Sequence, residues 1–175
     1  MKSQNRGHSW LRPQLEMRDA GTGKGVFAKS SFAKGELLAI FGGHVMPIQE
    51  EPVFPDGLSD LAMQIHDGFV LGTKFYEDLE DADRFNHSCN PNAGFHGQIF
   101  LVAMREIEPD EQICFDYGMA ITCEYRMECQ CGSPCCRKII TGNDWKLPEL
   151  QVRYEGFFQW YLKEKIKQQN NTHIP

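Results

Sequence analysis

No apolar run approaches the roughly 18 residues that a membrane-spanning helix needs, so no membrane span is expected in the 175 residues. Nothing repeats at a fixed period and no Pro/Gly/Ser-rich linker divides the chain, whose length suits one hydrophobic core. Basic residues are in the minority. The 18 Lys and Arg against 24 Asp and Glu leave a net charge of -6, the wrong sign for a surface that gathers nucleic-acid phosphates. Direct nucleic-acid binding is not expected, whereas a Lys/Arg-rich peptide suits an acidic body. Residues 1–11 carry Lys2, Arg6 and His8 without the apolar stretch of a secretory signal. The seven cysteines, an odd number, cannot all pair within the chain. The expectation is therefore a reducing intracellular compartment, where cysteines serve as metal ligands, nucleophiles or buried residues rather than as a disulfide framework.

What is present reads as mainly β. Residues 15–46 alternate short apolar runs, such as Val26-Phe27-Ala28 and Leu37-Leu38-Ala39-Ile40-Phe41, with Gly and Lys, which predicts short strands joined by turns. Pro47, Pro52 and Pro55 predict an irregular loop over residues 47–57, and residues 58–65 suit two helical turns. Residues 69–71, 99–104 and 112–115 are compact strand candidates, the last following a Glu-Pro-Asp-Glu turn. After Pro148, which can occupy a first helical turn, Leu150, Tyr154, Phe157, Phe158, Tyr161 and Leu162 fall on one face of an amphipathic helix. Gly156 within that helix costs about 1 kcal/mol relative to Ala, and residues 168–175 are polar and expected to fray.

Cysteine dominates residues 123–136. The segment Cys129-Gln130-Cys131-Gly132-Ser133-Pro134-Cys135-Cys136 places thiols close together where Gly and Pro prevent regular structure, a pattern that wraps a tetrahedral ion. Cys129, Cys131 and Cys136 form the preferred trio, with Cys135 competing for the last place. A fourth ligand must come from elsewhere: Cys89, within Asn86-His87-Ser88-Cys89-Asn90-Pro91-Asn92, or Cys114 or Cys123. Cys114 lies in an apolar strand pattern and reads as a small buried hydrophobe. A zinc closed by four thiolates keeps no open position and is structural.

Three glycines alternate in Gly21-Thr22-Gly23-Lys24-Gly25, allowing a backbone to approach a ligand closely, yet neither a Walker motif nor a dinucleotide fingerprint is formed. Asn86, His87 and Ser88 offer amide, imidazole and hydroxyl groups, and Tyr117 ends a strand. In this order, these signals resemble the SET-domain protein lysine methyltransferases. Gly23-Lys24-Gly25-Val26-Phe27-Ala28 is similar to that family's opening glycine motif, and residues 86–92 to its Asn-His-Ser-Cys-x-Pro-Asn signature. Residues 111–117 resemble its strand ending in Asp-Tyr, and Cys129-x-Cys131-x4-Cys136 followed by Arg137 resembles its post-SET zinc segment. The resemblance spans about residues 15–140.

It implies a β-clip of small curved sheets with a pseudoknot, divided as a SET domain over residues 15–122, a post-SET zinc segment over 123–140 and a helical extension over 141–175. It also implies S-adenosylmethionine as methyl donor, held near Gly23, Lys24, Gly25, Phe41, Arg84, Asn86, His87 and Tyr117, and zinc on Cys89, Cys129, Cys131 and Cys136. Tyr117 would orient the substrate amine. Phe115, at a position where the family has Phe or Tyr, would leave room for di- or trimethylation. The implied partner is a lysine-containing protein or peptide, a histone tail in the first place, and the implied location is the nucleus of a eukaryote or otherwise the cytoplasm. Three departures stand out: Phe41 where many members have Tyr, Arg84-Phe85-Asn86 one residue shorter than the usual approach, and no cysteine-rich segment before Leu15. The competing reading is a catalytically silent module that binds a protein partner as a zinc-stabilised scaffold. Trp145 could close over a substrate channel or simply pack.

Overall fold

The computed structural model describes residues 8–21, 23–49 and 61–172. In chain order the strands are β1 (Trp10–Leu11), β2 (Leu15–Asp19), β3 (Lys24–Ala28), β4 (Leu37–Ile40), β5 (His44–Pro47), β6 (Met63–His66), β7 (Phe69–Gly72), β8 (Asn86–His87), β9 (Ala93–His96), β10 (Phe100–Ala103), β11 (Gln112–Phe115), β12 (Arg126–Glu128) and β13 (Ile139–Thr141). Helices α1 (Pro148–Arg153) and α2 (Trp160–Thr172) follow. The strands form small sheets in the orders β1-β4-β10-β9, β2-β3-β11-β8 and β5-β7-β6, with β12 and β13 paired separately. Strand β8 lies parallel to β11, with Asn86 opposite Cys114 and His87 opposite Phe115. That pairing sets the Asn-His-Ser-Cys segment beside the strand that delivers Tyr117. Among the described residues no helix is long and apolar enough to cross a membrane.

The apolar runs of β3, β4, β10 and β11 bury Val26, Leu38, Ala39, Leu101 and Ile113 completely, and Phe95 of β9 joins them. Tyr154, Phe158, Tyr161 and Leu162 belong to this same core. The C-terminal segment therefore packs as part of the domain. Its single expected helix is two helices. The first helix stops at Arg153, and in the turn that follows Gly156 adopts φ 86°, a left-handed conformation that a β-carbon would strain. After the turn, the Trp160 N–H donates to the Gly97 carbonyl at 2.9 Å. Helix α2 continues through Thr172, beyond the point where fraying was expected.

Residues 61–66 also depart from expectation. Met63–His66 is a strand, not part of a helix, because it pairs with β7 across the Asp67-Gly68 turn. Its Gln64 is buried, with an amide that spans to the chain after Tyr117. Residues 58–60 of that expected helix lie outside the described residues, as does most of the Pro-containing loop. Pro47 itself ends β5, an edge strand where its missing N–H breaks no ladder.

Candidate active site and thiol cluster

A cavity of about 380 Å³ is walled by the start of β3, by Phe41, by β6 and β7, by residues 83–86 and by the chain from Phe115 to Tyr125. Of the candidate residues, Gly23, Lys24, Phe41, Arg84, Asn86, Phe115 and Tyr117 line it. Gly25 and His87 do not, but each holds residues that do. A β-carbon on Gly25 would stand 2.8 Å from Asn86 Nδ2 and 2.2 Å from Gln112 Nε2, so glycine is what allows the two amides to lie against β3. There Asn86 Nδ2 donates to the Lys24 carbonyl at 3.0 Å, tying the glycine segment to the Asn-His-Ser-Cys segment.

The His87 side chain is 3% exposed and bridges two sites. Its Nδ1 accepts from the Tyr117 backbone N–H at 3.1 Å, and its Nε2 lies 3.3 Å from the Cys89 sulfur. Burial pulls the imidazole down to about 4, against the pull of nearby Asp116. It is therefore neutral at pH 7, and with Nδ1 accepting, the proton sits on Nε2 and points at sulfur.

Tyr117 follows β11 directly. Its hydroxyl donates to the Phe85 carbonyl at 3.1 Å, which leaves the oxygen lone pairs able to accept from an amine. Phe115 packs against it with ring centroids 5.1 Å apart and against Phe95 at the same distance. The wall here is apolar, with Phe41, Met63, Val70 and Ile121. Lys24, Arg84 and Asp83 supply charges of both signs, and burial pushes the Asp83 carboxyl up. Sequence reading passed over two wall residues. Asp83 gave no local signal, and Gln64 accepts the Thr122 and Cys123 N–H groups at 2.7 and 3.1 Å while donating to Thr122 Oγ1 at 2.8 Å. Trp145 lies in the core and does not reach the cavity.

Behind His87, the sulfur atoms of Cys89, Cys129, Cys131 and Cys136 all lie within 4.8 Å of one another. The Cys89 and Cys129 sulfurs are 3.9 Å apart, matching the roughly 3.8 Å between thiolates that share a tetrahedral zinc at about 2.3 Å. Burial pushes the Cys89 thiol up to about 11, although the Arg137 N–H donates to its sulfur at 3.4 Å. Burial opposes ionisation of Cys131 too, but backbone donors at Cys89 and Ser133 bring it down to about 7. Two buried and two half-buried thiols, with Cys131 the one most easily ionised, are a donor set that a divalent cation completes, since its charge favours the ionised forms. Cys135 is exposed and turns to Ser133 and Arg153 instead. Cys114 is partly buried and lies outside both apolar clusters, its thiol pushed by burial to about 12. Cys123 lines the cavity.

One charged network joins the thiol cluster to Tyr117. Asp116 is fully buried and receives both terminal nitrogens of Arg137, at 2.6 and 2.7 Å. Arg137 Nε donates to Asp144 at 2.9 Å, and Asp116 Oδ1 caps the turn after Tyr117 by accepting the Gly118 N–H at 2.9 Å. The Tyr154 hydroxyl, from the end of α1, lies 3.0 Å from Asp116 and 3.2 Å from the Cys89 carbonyl. In sequence Tyr154 read only as helix packing and Arg137 only as the residue after a thiol.

Residues 23–118 match the SET domain family. The chain is 28% identical over 145 residues to "Histone-lysine N-methyltransferase TRX1" of Oryza sativa subsp. japonica, covering 75% of this chain and 14% of that protein. It is 29% identical over 142 residues to "Histone-lysine N-methyltransferase 2B" of Homo sapiens, covering 70% and 5%. The chain thus spans only a small part of these curated relatives. In fold it is similar to KRYPTONITE solved with mCHG DNA and SAH, with a TM-score of 0.55 at 24% identity over 74% of this chain and 29% of that one.

Proposed function

This chain belongs to the SET-domain family, and on that premise we propose that it is a protein-lysine N-methyltransferase using S-adenosylmethionine. The observation that carries the reading is the Tyr117 hydroxyl, tethered to the Phe85 carbonyl at 3.1 Å on the wall of a cavity shared with Gly23, Lys24 and Asn86. The volume falls in the range of about 300–1,000 Å³ usual for small-molecule sites. Charges of both signs at Lys24, Arg84 and Asp83 suit a zwitterionic amino-acid group.

When bound, S-adenosylmethionine would supply an electrophilic methyl carbon, activated by its sulfonium charge, with the neutral thioether S-adenosylhomocysteine as leaving group. The chain's own residues prepare the nucleophile. A free lysine has a pKa of about 10.4, and the apolar wall of Phe41, Phe115, Met63 and Ile121 disfavours its charged form. With its proton committed to Phe85, the Tyr117 oxygen accepts an amine N–H and so aims the nitrogen lone pair. His87 and Asp116 hold the Tyr117 backbone, and Cys89, Cys129, Cys131 and Cys136 would hold a structural zinc that fastens that support.

A histone tail is the proposed substrate class. The relatives carry histone-lysine methyltransferase names, a KRYPTONITE structure was solved with an H3(1-15) peptide and SAH, and an acidic chain suits a lysine-rich tail. A nuclear location in a eukaryotic host goes with that substrate. Phe115 lacks a hydroxyl that would hold an already methylated amine, so di- or trimethyl-lysine is the proposed product. Residues 15–122 would carry catalysis, 123–140 the zinc, and 141–175 complete the core. Transfer of labelled methyl from S-adenosylmethionine to a panel of histones and peptides tests the activity. No transfer, together with no rise in melting temperature on adding the donor, leaves the silent scaffold.

A further inference from the structure

We infer that His8, His44 and Asp78 form a second metal site, for a first-row divalent ion, that fastens the segment before β1 to the body of the domain. Their donor atoms all lie within 4.8 Å of one another although the residues come from three separate parts of the chain. The site lies outside both the cavity and the thiol cluster.

The backbone around these side chains is fixed. One Glu80 carboxylate oxygen accepts the His8 and Ser9 N–H groups at 3.1 and 2.6 Å, and the Ser9 hydroxyl accepts the Gly42 N–H at 3.0 Å. A β-carbon at Gly42 would stand 1.7 Å from the His8 carbonyl oxygen, and one at Gly43, where φ is 131°, 2.5 Å from the Gly72 carbonyl oxygen. These two glycines let the N-terminal segment close onto the start of β5, and the His8 and His44 rings meet with centroids 5.6 Å apart. Asp78 ends the 3-10 turn Tyr76–Asp78. Among the described residues no hydrogen bond or salt bridge occupies the two imidazoles or the Asp78 carboxylate, and Glu80 is already committed to the backbone.

Two imidazoles and a carboxylate suit zinc, nickel, copper or iron and not magnesium or calcium. Metal–nitrogen and metal–oxygen bonds of about 2.0–2.2 Å place tetrahedral donors about 3.3 Å apart. The two histidines are exposed and Asp78 only half-buried, so side-chain rotation closes the remaining gap while the anchored backbone stays in place. Water fills the fourth position. With one fewer protein ligand and no thiolate, this site is the weaker and more labile of the two.

The test is a cobalt titration of the untagged full chain loaded with zinc. Visible absorption separates a nitrogen/oxygen site, with weak d–d bands alone, from thiolate coordination, with its intense charge-transfer bands. One equivalent of cobalt is expected without charge transfer, with affinity falling at least tenfold in His44→Ala, in His8→Ala and in Asp78→Asn while the thiol-bound zinc is retained. Retained zinc and an unchanged circular dichroism spectrum show each variant folded. No cobalt uptake by the natural chain, or equal uptake by it and by His8→Ala/His44→Ala, overturns the proposal. The outcome is independent of methyl transfer.

Discussion

Replacing Arg137 by Ala removes the cation from Asp116, which is fully buried. The carboxylate keeps the Tyr154 hydroxyl at 3.0 Å and the Gly118 N–H at 2.9 Å but loses two charged hydrogen bonds of 2.6 and 2.7 Å. Asp144, whose side chain is 8% exposed, loses its cation as well. Breaking a buried pair by removing one partner costs about 3–5 kcal/mol. At about 2–4 °C per kcal/mol for a chain of this size, the melting temperature should fall by about 6–20 °C. Arg105→Ala is the internal control, because its pair with Glu111 has side chains 48% and 28% exposed and is worth at most about 1 kcal/mol. Thermal melts of both variants, with zinc content measured alongside, give the comparison. If Arg137→Ala costs no more than Arg105→Ala, the network does not hold the Tyr117 turn and the reasoning fails. Arg137→Met combined with Asp116→Asn leaves no uncompensated carboxylate at position 116 and should recover about 2 kcal/mol of the loss.

Cys131→Ser should lose zinc and melt well below the natural chain, since three thiolates and a hydroxyl replace a closed four-thiolate site; full zinc content with unchanged melting would contradict the ligand set. Tyr154→Phe should cost about 1–2 kcal/mol, because the Cys89 carbonyl and one Asp116 oxygen lose a shared donor, and a denaturation midpoint measures it. Gly25→Ala would push Asn86 and Gln112 off β3 and should weaken S-adenosylmethionine binding about fivefold by calorimetry, the equivalent of one hydrogen bond. Phe115→Tyr should shift products toward monomethyl-lysine; mass spectra showing only monomethyl-lysine from the natural chain would remove Phe115 as the determinant.

Local chemistry in the sequence carried much of this site. Cysteines two and five positions apart around Gly and Pro selected Cys129, Cys131 and Cys136; no spacing rule connects Cys89 to them, and it joined the set through the family resemblance, with its sulfur lying beside the other three. The short apolar runs of β3, β4, β10 and β11 are strands because burial on the core leaves them no other periodicity. Where long-range partners decide, sequence reading stopped. Met63–His66 pairs with β7 and Gln64 reaches the chain after Tyr117, neither visible in a short window. Gly156 was noted as a weak point, and it takes a left-handed φ in the turn that divides the expected helix into two. His87 was expected at the cofactor, and its side chain spans Tyr117 and Cys89, a role that no local signal showed. Asp116 and Tyr154 looked like the end of a strand and a packing residue, since a buried hydrogen-bond network leaves no mark on composition.

The central claim is that the Tyr117 hydroxyl orients a lysine amine for methylation. Labelled-methyl transfer to histone substrates, with the natural chain and Tyr117→Phe run side by side under saturating S-adenosylmethionine, tests it most directly. Transfer by the natural chain and a fall of at least a hundredfold in kcat for the variant, with zinc content and cofactor affinity retained, is the expected result. Equal labelling by the two proteins would contradict it.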